Sequence, residues 1–304
     1  MVVKNCVTSI DLGSNSFRVL KLDCISRETI AEFETTVGTA DGLSKSDDIS
    51  LEALNRIIIA IKKSIEVVNY NSSDAIAVTT QALRVANNAT FILQNIKENT
   101  GVSFTIIDGV KEANLTLLAM QHALKRENLK DDDFVLLDIG GGSTELIIYQ
   151  DKKSDIKSFP FGIVTLSQSE NKKEDFLKFK KEVQIFLENS KHDISNSTFI
   201  STAGTPTTVA ALKLGLNYET YDKQKVNGTT LSIDEVIAIQ KKLKSCSKNE
   251  LINEVGTGRE DYINTGMSIY QLFFNTLKKD ISIVFDDGLR EGVALEQCSR
   301  IMIK

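Results

Sequence analysis

Ile10-Asp11-Leu12-Gly13-Ser14-Asn15-Ser16 and Leu137-Asp138-Ile139-Gly140-Gly141-Gly142-Ser143 decide the reading of this chain. Each is the end of an apolar strand closing on an aspartate, then a glycine turn, then a second strand. Asp11 and Asp138 lie 127 residues apart. The strands near Val78 and near Ile200 lie 122 residues apart, and each leads into a Thr-rich turn and a helix. Two correspondences at nearly one offset point to a duplicated α/β unit. Short strands followed by helices in each half predict a mixed sheet flanked by helices.

Working outward, hydrophobic periodicity predicts strands over 2–11, 17–23, 29–37, 74–78 and 104–107 in the first half. Helices are predicted over 50–68, with Ser50 as N-cap, and over 90–98 and 111–125. A charged break at 130–133 marks a loop near the domain boundary, with Asp131, Asp132 and Asp133 as a solvated turn. The second half reads as strands over 134–138, 143–149, 156–161, 198–201 and 281–285. Its helices are predicted over 172–189, 232–243, 248–254, 261–277 and 289–303.

Composition removes several classes of function. The 304 residues suit two domains, and 41% hydrophobic content supports an ordinary core. A net charge of −5, with no block of five Lys or Arg, argues against general nucleic-acid binding. No run approaches the length of a membrane span, and Met1 to Asn5 lacks the apolar segment of a signal peptide, so a cytoplasmic protein with no membrane partner is expected. Cys6, Cys24, Cys246 and Cys298 form no C-x-x-C pair and read as four reduced thiols. Only His122 and His192 occur, neither within a motif. Phosphohistidine chemistry, a Ser-His-Asp triad and a histidine-rich metal centre are all disfavoured. The chemistry must rest on carboxylates, hydroxyls, Arg or Lys, and backbone.

The glycine turns suit phosphate. Successive N–H groups in such a turn can point into one concavity, and glycine permits the backbone angles and the close approach required. Gly13, Ser14, Asn15, Ser16, Gly140, Gly141, Gly142, Ser143 and Thr144 are the candidate phosphate ligands. Asp138 and Glu145 stand seven residues apart across the second turn. Paired carboxylates beside phosphate suit Mg²⁺, with Asp11 as a third candidate metal ligand; Mn²⁺ accepts the same oxygens. Glu112 opens a helix after Asp108-Gly109, and Arg84 and Arg18 each follow a turn. An Arg in a phosphate site offers a bidentate fork. Ala203 to Thr208 form a turn before a helix, which makes Gly204 and Thr205 further phosphate candidates.

Taken together, these motifs resemble the exopolyphosphatase/guanosine pentaphosphate phosphohydrolase family. The likeness also includes Gln81-Ala82-Leu83-Arg84, Lys111-Glu112-Ala113, Thr202-Ala203-Gly204-Thr205 and Asp286-Asp287-Gly288-Leu289-Arg290-Glu291-Gly292. It implies the duplicated actin-like ATPase fold, with two α/β domains flanking a central cleft. The expected bounds are 1–123 and 124–288, with the helix over 289–304 packing back on the first domain. It implies that Glu112 activates the attacking water and that Asp138 and Glu145 hold Mg²⁺ or position that water. Arg84 and both turns would bind phosphate, K⁺ is a further candidate cation, and a homodimer is expected. The expected substrates are inorganic polyphosphate and guanosine pentaphosphate. A non-catalytic sensor of polyphosphate or guanosine tetraphosphate, and a phosphotransferase of the same superfold, are the alternatives.

Three positions depart from the family pattern: Thr36 before Val37-Gly38, Asn227 before Gly228, and Thr165 after Gly162. Each removes a possible positive charge. Longer relatives carry extra helical domains that hold long polymers, so short polyphosphate or a nucleotide is the expected substrate here.

Overall fold

The computed structural model describes residues 6–302. The parts of the first predicted strand over 2–5 and of the last helix at 303 lie outside the described residues. The chain forms two compact units. Unit 1 comprises 6–119 with 289–302, and unit 2 comprises Met120–Gly288.

Unit 1 carries β1 (Cys6–Leu12), β2 (Ser16–Asp23), β3 (Thr29–Thr36), α1 (Leu43–Ser46), α2 (Leu51–Val68), β4 (Ile76–Thr79), α3 (Gln81–Val85), α4 (Ala89–Thr100) and β5 (Phe104–Ile106). Then α5 (Gly109–Arg126) carries the chain into unit 2. The sheet order is β3-β2-β1-β4-β5. β1 to β3 form an antiparallel meander, while β4 runs parallel to β1 and β5 parallel to β4. The N-cap of α2 is as expected: Ser50 Oγ accepts from Ala53 N–H at 3.1 Å.

Unit 2 carries β6 (Asp133–Ile139), β7 (Thr144–Gln150), β8 (Lys153–Phe159), α6 (Ile163–Gln168), α7 (Lys172–Asn189), β9 (Thr198–Thr202), α8 (Gly204–Lys213) and α9 (Lys223–Val226). It continues through β10 (Thr229–Ser232), α10 (Ile233–Ser245), α11 (Lys248–Val255), α12 (Ile263–Leu277) and β11 (Ile281–Val284). Its sheet order is β10-β11-β9-β6-β7-β8. Read as β8-β7-β6-β9-β11, it matches β3-β2-β1-β4-β5 in order, and its pairings match in direction. Only β10 is an addition. The duplication seen in two sequence motifs is therefore a duplication of topology.

β6 shows why the strands take these places. Phe134, Val135, Leu136 and Leu137 are all buried, so no face of this central strand meets water. A strand covered on both faces reads as an apolar run and not as an alternation. Phe159, Phe161, Phe179, Phe199, Tyr270, Phe273 and Phe274 fill the core of unit 2. Burying each such ring stabilises by roughly 1.5–3 kcal/mol.

The last helix, α13 (Leu289–Met302), belongs to unit 1. Ala294, Leu295 and Cys298 pack with Val7, Leu20, Leu22 and Cys24. Gly292 makes the approach possible, because a Cβ there would lie 2.0 Å from the Leu115 carbonyl oxygen.

Several expectations need correction. Cys24 and Cys298 are disulfide-bonded, with Cα atoms 5.1 Å apart, so only Cys6 and Cys246 are free thiols. The pair is separated by 274 residues, and only the docking of α13 beside β2 brings it together. Asp133 is not part of a solvated turn: it opens β6, and Ser197 Oγ and Gln150 Nε2 donate to it. The stretch from Ala203 to Thr208 is not a turn before a helix, since α8 begins at Gly204 itself. Pro206 is tolerated there because the first helical turn needs no donor from it. Helices α1, α3, α6 and α9 have at most six residues each, too few for a helical period to show in the sequence.

Candidate active site

The two glycine turns join β1 to β2 and β6 to β7. In each, the strand-terminal aspartate has a partner directly opposite on the antiparallel pair. Asp11 stands opposite Arg18, whereas Asp138 stands opposite Glu145. Directly opposed residues share one face, with Cβ atoms about 4.5–5.5 Å apart. Unit 1 therefore opposes unlike charges, and unit 2 opposes two carboxylates. Glu145 is only 1% exposed, and Ser158, its neighbour on β8, donates to Oε1 at 2.6 Å.

The second turn is fixed from its carbonyl side. Gly140 N–H donates to Ser143 O at 3.0 Å, and Ile163 and Val164 N–H at the start of α6 donate to Gly140 O and Gly141 O. Gly162 seats this contact, for a Cβ there would lie 2.4 Å from Gly141 O. Thr165 Oγ1 accepts from Gly162 N–H at 2.7 Å and so serves the same seat. Thr144 is fully buried, and its hydroxyl donates to Phe161 O at 2.6 Å. Its hydroxyl is thus engaged within the fold. Glycine is needed at 140 for closeness and not for an unusual backbone angle: its φ is not positive, and a Cβ would lie 2.9 Å from Ser143 O. Gly13 also lacks a positive φ.

The first turn has a similar scaffold. Gly13 N–H donates to Ser16 O, Ala40 N–H to Ser14 O, and Val37 and Gly38 N–H to Asn15 O, all at 2.9 Å. Ser14 and Asn15 are buried. Arg18 pairs with Glu34 at 3.3 Å. Thr36 supplies no cation, but Arg56 reaches from α2 to the same loop and donates to Val37 O at 2.6 Å and Gly38 O at 3.0 Å.

Unit 1 also brings together two candidate catalytic residues that lie 28 positions apart. Arg84 Nη1 donates to Glu112 Oε2 at 3.2 Å, and Glu112 is 9% exposed. Arg84 is held by Gln81 Oε1, at 3.1 Å from Nε and 2.8 Å from Nη2, and by Ile107 O. Asp108 Oδ1 accepts from Lys111 N–H at 2.7 Å and fixes the first turn of α5, on which Glu112 sits. The guanidinium therefore orients a mostly buried carboxylate from a braced position.

At α8, Ala203 has φ 72° and ψ −177°, a region used almost only by glycine. Gly204 has open space where a Cβ would stand. Thr205 is 1% exposed and abuts Gly266 on α12, so its side chain is directed into packing.

Sequence reasoning missed a network beside this helix. Arg126 makes a two-pronged contact with Asp287, 2.9 Å on each prong, and these bonds raise the Arg126 pKa still further. Asn227 Nδ2 donates to Asp287 Oδ2 at 3.2 Å and its Oδ1 accepts from Asp286 N–H at 2.7 Å. Thr202 Oγ1 donates to Asp287 O at 2.8 Å. Two adjacent aspartates before a glycine were the available signal. Ser158 was missed because only strand register relates it to Glu145.

Among the described residues, no three or more His, Cys, Asp or Glu side chains cluster to hold a metal ion. Asp138 and Glu145 are a two-carboxylate pair in unit 2, and Asp11 belongs to unit 1. No helix among the described residues is long and apolar enough to cross a membrane.

A duplicated strand order, with a glycine turn closing on an aspartate in each unit, defines an actin-like ATPase fold. The chain belongs to the Ppx/GppA phosphatase family, whose model matches residues 19–301. It is similar to the Ppx/GppA enzyme of Aquifex aeolicus, at 27% identity and a TM-score of 0.74, covering 96% of this chain and 99% of that one. An exopolyphosphatase from Cytophaga hutchinsonii shares the fold at 23% identity and a TM-score of 0.82, covering 97% and 98% of the two chains. A bifunctional 3-dehydroquinate synthase/phosphatase of Fusobacterium nucleatum is 26% identical over 95% of this chain. This chain spans 46% of that relative's length.

Proposed function

We propose that this protein removes the terminal phosphate of inorganic polyphosphate, of guanosine pentaphosphate, or of both. The observation that carries the reading is the opposition of Asp138 and Glu145. Directly opposed across the strand pair, the two carboxylates put their oxygens side by side on one face of the sheet. The donor set fits Mg²⁺, which takes oxygen ligands, is held by one or two carboxylates, keeps several waters and completes its shell with substrate phosphate. A divalent cation bound there would neutralise charge developing on the phosphoryl oxygens.

The other roles fall to Glu112, Arg84 and the two glycine turns. Glu112, oriented by Arg84, accepts a proton from the attacking water. The water oxygen bonds to the terminal phosphorus as the bridging P–O bond breaks, releasing orthophosphate and a chain one phosphate shorter. N–H groups of the glycine turns bind phosphoryl oxygens. No histidine is required. We place the protein in the cytoplasm and expect it to act as a homodimer.

The test is phosphate release, with Mg²⁺, from short polyphosphate, long polyphosphate and guanosine pentaphosphate. Wild type should turn over at least one of them, and Glu112→Gln should lose about 10²–10⁴-fold, the usual contribution of a general base. No release from any of the three, with binding retained, would turn the reading into a sensor. Release only to an added acceptor would turn it into a phosphotransferase.

A further inference from the structure

Strand register sets a row of matching positions beside each glycine turn. In unit 2 the row is Asp138, Glu145 and Ser158, and in unit 1 it is Asp11, Arg18 and Glu34. Directly opposed residues share one face of the sheet. Unit 2 thus ends its row on a neutral hydroxyl, and unit 1 ends its row on a carboxylate. Helix α13 brings a second arginine to the unit 1 row. Ser9, two residues before Asp11 and on the same face of β1, donates through Oγ to Arg290 O at 2.7 Å.

Glu34 stands between two arginines and offers one oxygen to each. Its Oε1 lies 3.3 Å from Arg18 Nη2, and its Oε2 lies 3.8 Å from Arg290 Nη1. Both distances exceed the roughly 2.7–2.9 Å usual for a charge-assisted N–H···O bond. Arg290 is fixed more firmly: Nε donates to Glu291 Oε1 at 2.9 Å and Nη2 to Glu32 Oε2 at 3.0 Å. Its side chain is 3% exposed, against 28% for Glu34. A buried guanidinium stays with its counter-ions, because an unpaired buried charge is costly. The carboxylate between the arginines is therefore the member with room to move. Carboxylate and phosphoryl oxygens compete for the same guanidinium fork.

Building on the reading of the first turn and Arg18 as phosphate ligands, we propose that Glu34 is a stand-in anion for the substrate. Glu34 holds Arg18 until a phosphoryl oxygen arrives, and Arg290 is the positioning residue that takes Glu34 over as Arg18 turns to the substrate. The exchange moves no proton and breaks no covalent bond. Without Arg290, Glu34 holds Arg18 against the substrate. Without the Glu34 charge, Arg18 is available at once and Arg290 no longer matters to affinity. The row sets how tightly phosphate is held, while Arg84 and Glu112 act on the attacking water.

Two measurements with inorganic tripolyphosphate and Mg²⁺ test the exchange. Calorimetric titration in a Glu112→Gln background, where turnover is suppressed, reads affinity, and steady-state hydrolysis in the native background reads KM and kcat. Arg290→Met should weaken affinity about tenfold, the size of a lost charge-assisted contact. Glu34→Gln should tighten it about threefold, as expected for removal of a partly exposed competing ion pair. Adding Glu34→Gln to Arg290→Met should restore affinity to within about threefold of wild type, the coupling expected within one ion-pair network. The changes should fall on KM, with kcat kept within about twofold, because binding and not the chemical step is altered. Unchanged or weakened affinity in Glu34→Gln, or a double variant as weak as Arg290→Met, would make the network purely structural and overturn the proposal. Arg18→Ala binding as tightly as wild type would overturn it too. Where Arg290→Met does not fold, Glu34→Gln alone decides. Absence of tripolyphosphate binding and turnover in wild type would also overturn the exchange, and release of phosphate from guanosine pentaphosphate then shows whether the hydrolase reading stands without it.

Discussion

At the scale of single residues, the contrast between Asp11 opposite Arg18 and Asp138 opposite Glu145 separates two turns that look alike in sequence. It gives a prediction that joins activity to stability. Glu145→Gln keeps an acceptor for the Ser158 hydroxyl but removes a charged oxygen pair from beside Asp138. Phosphate release should fall at least about 10²-fold, as expected for loss of a metal-holding carboxylate. Mg²⁺ should raise the urea midpoint of wild type and shift that of the variant less, because a cation that binds only the folded protein stabilises it in proportion to its affinity. Urea unfolding with and without Mg²⁺ measures the second arm, and an equal shift in wild type and variant would contradict it. Ala203 gives a second case. Its φ of 72° and ψ of −177° strain any residue with a Cβ. Ala203→Gly should stabilise the protein by about 1 kcal/mol, after the extra backbone entropy of glycine is subtracted. A lower unfolding midpoint in the glycine variant would show that the site does not store this strain.

Among the elements, α13 is the one whose attachment is covalent as well as packed. Cys24 and Cys298 enclose almost the whole chain, and removing a native disulfide costs about 2–5 kcal/mol. Alkylation of the denatured protein without reductant should modify two thiols, Cys6 and Cys246, and four after reduction. Reduction, or a Cys24→Ser/Cys298→Ser variant, should lower the denaturation midpoint. Four reactive thiols before reduction would show that the bond does not form in the purified protein. The elements also show how far periodicity carries. Helix α7 falls where its apolar spacing places it, and Ser232 and Ser247 cap α10 and α11 through capping boxes. The short helices escaped because their lengths are set by contacts made elsewhere, as when Ile163 and Val164 dock on the carbonyls of the second glycine turn.

For the whole molecule, Tyr270 in the core of unit 2 links folding to pH. Its hydroxyl is fully buried and hydrogen-bonded with Ser201, and burial raises its pKa above the usual 10.0. The unfolded chain therefore ionises this group at lower pH than the folded chain does. Its contribution to stability is complete below pH 10 and is lost as pH rises beyond that. Thermal midpoints measured from pH 8 upward should fall more steeply for wild type than for Tyr270→Phe, and parallel curves would exclude the linkage. At this scale the sequence determined a good deal by itself: two repeated strand–Asp–glycine turns and the resulting duplicated α/β fold. Those are local patterns, written in residue type and spacing. The tertiary structure alone decided which groups meet. Strand register set Glu145 between Asp138 and Ser158, helix packing set Arg84 against Glu112, and docking of α13 paired Cys24 with Cys298. Such pairings join positions far apart in the chain, and their energies arise only once neighbouring elements exclude water and fix each side chain's reach.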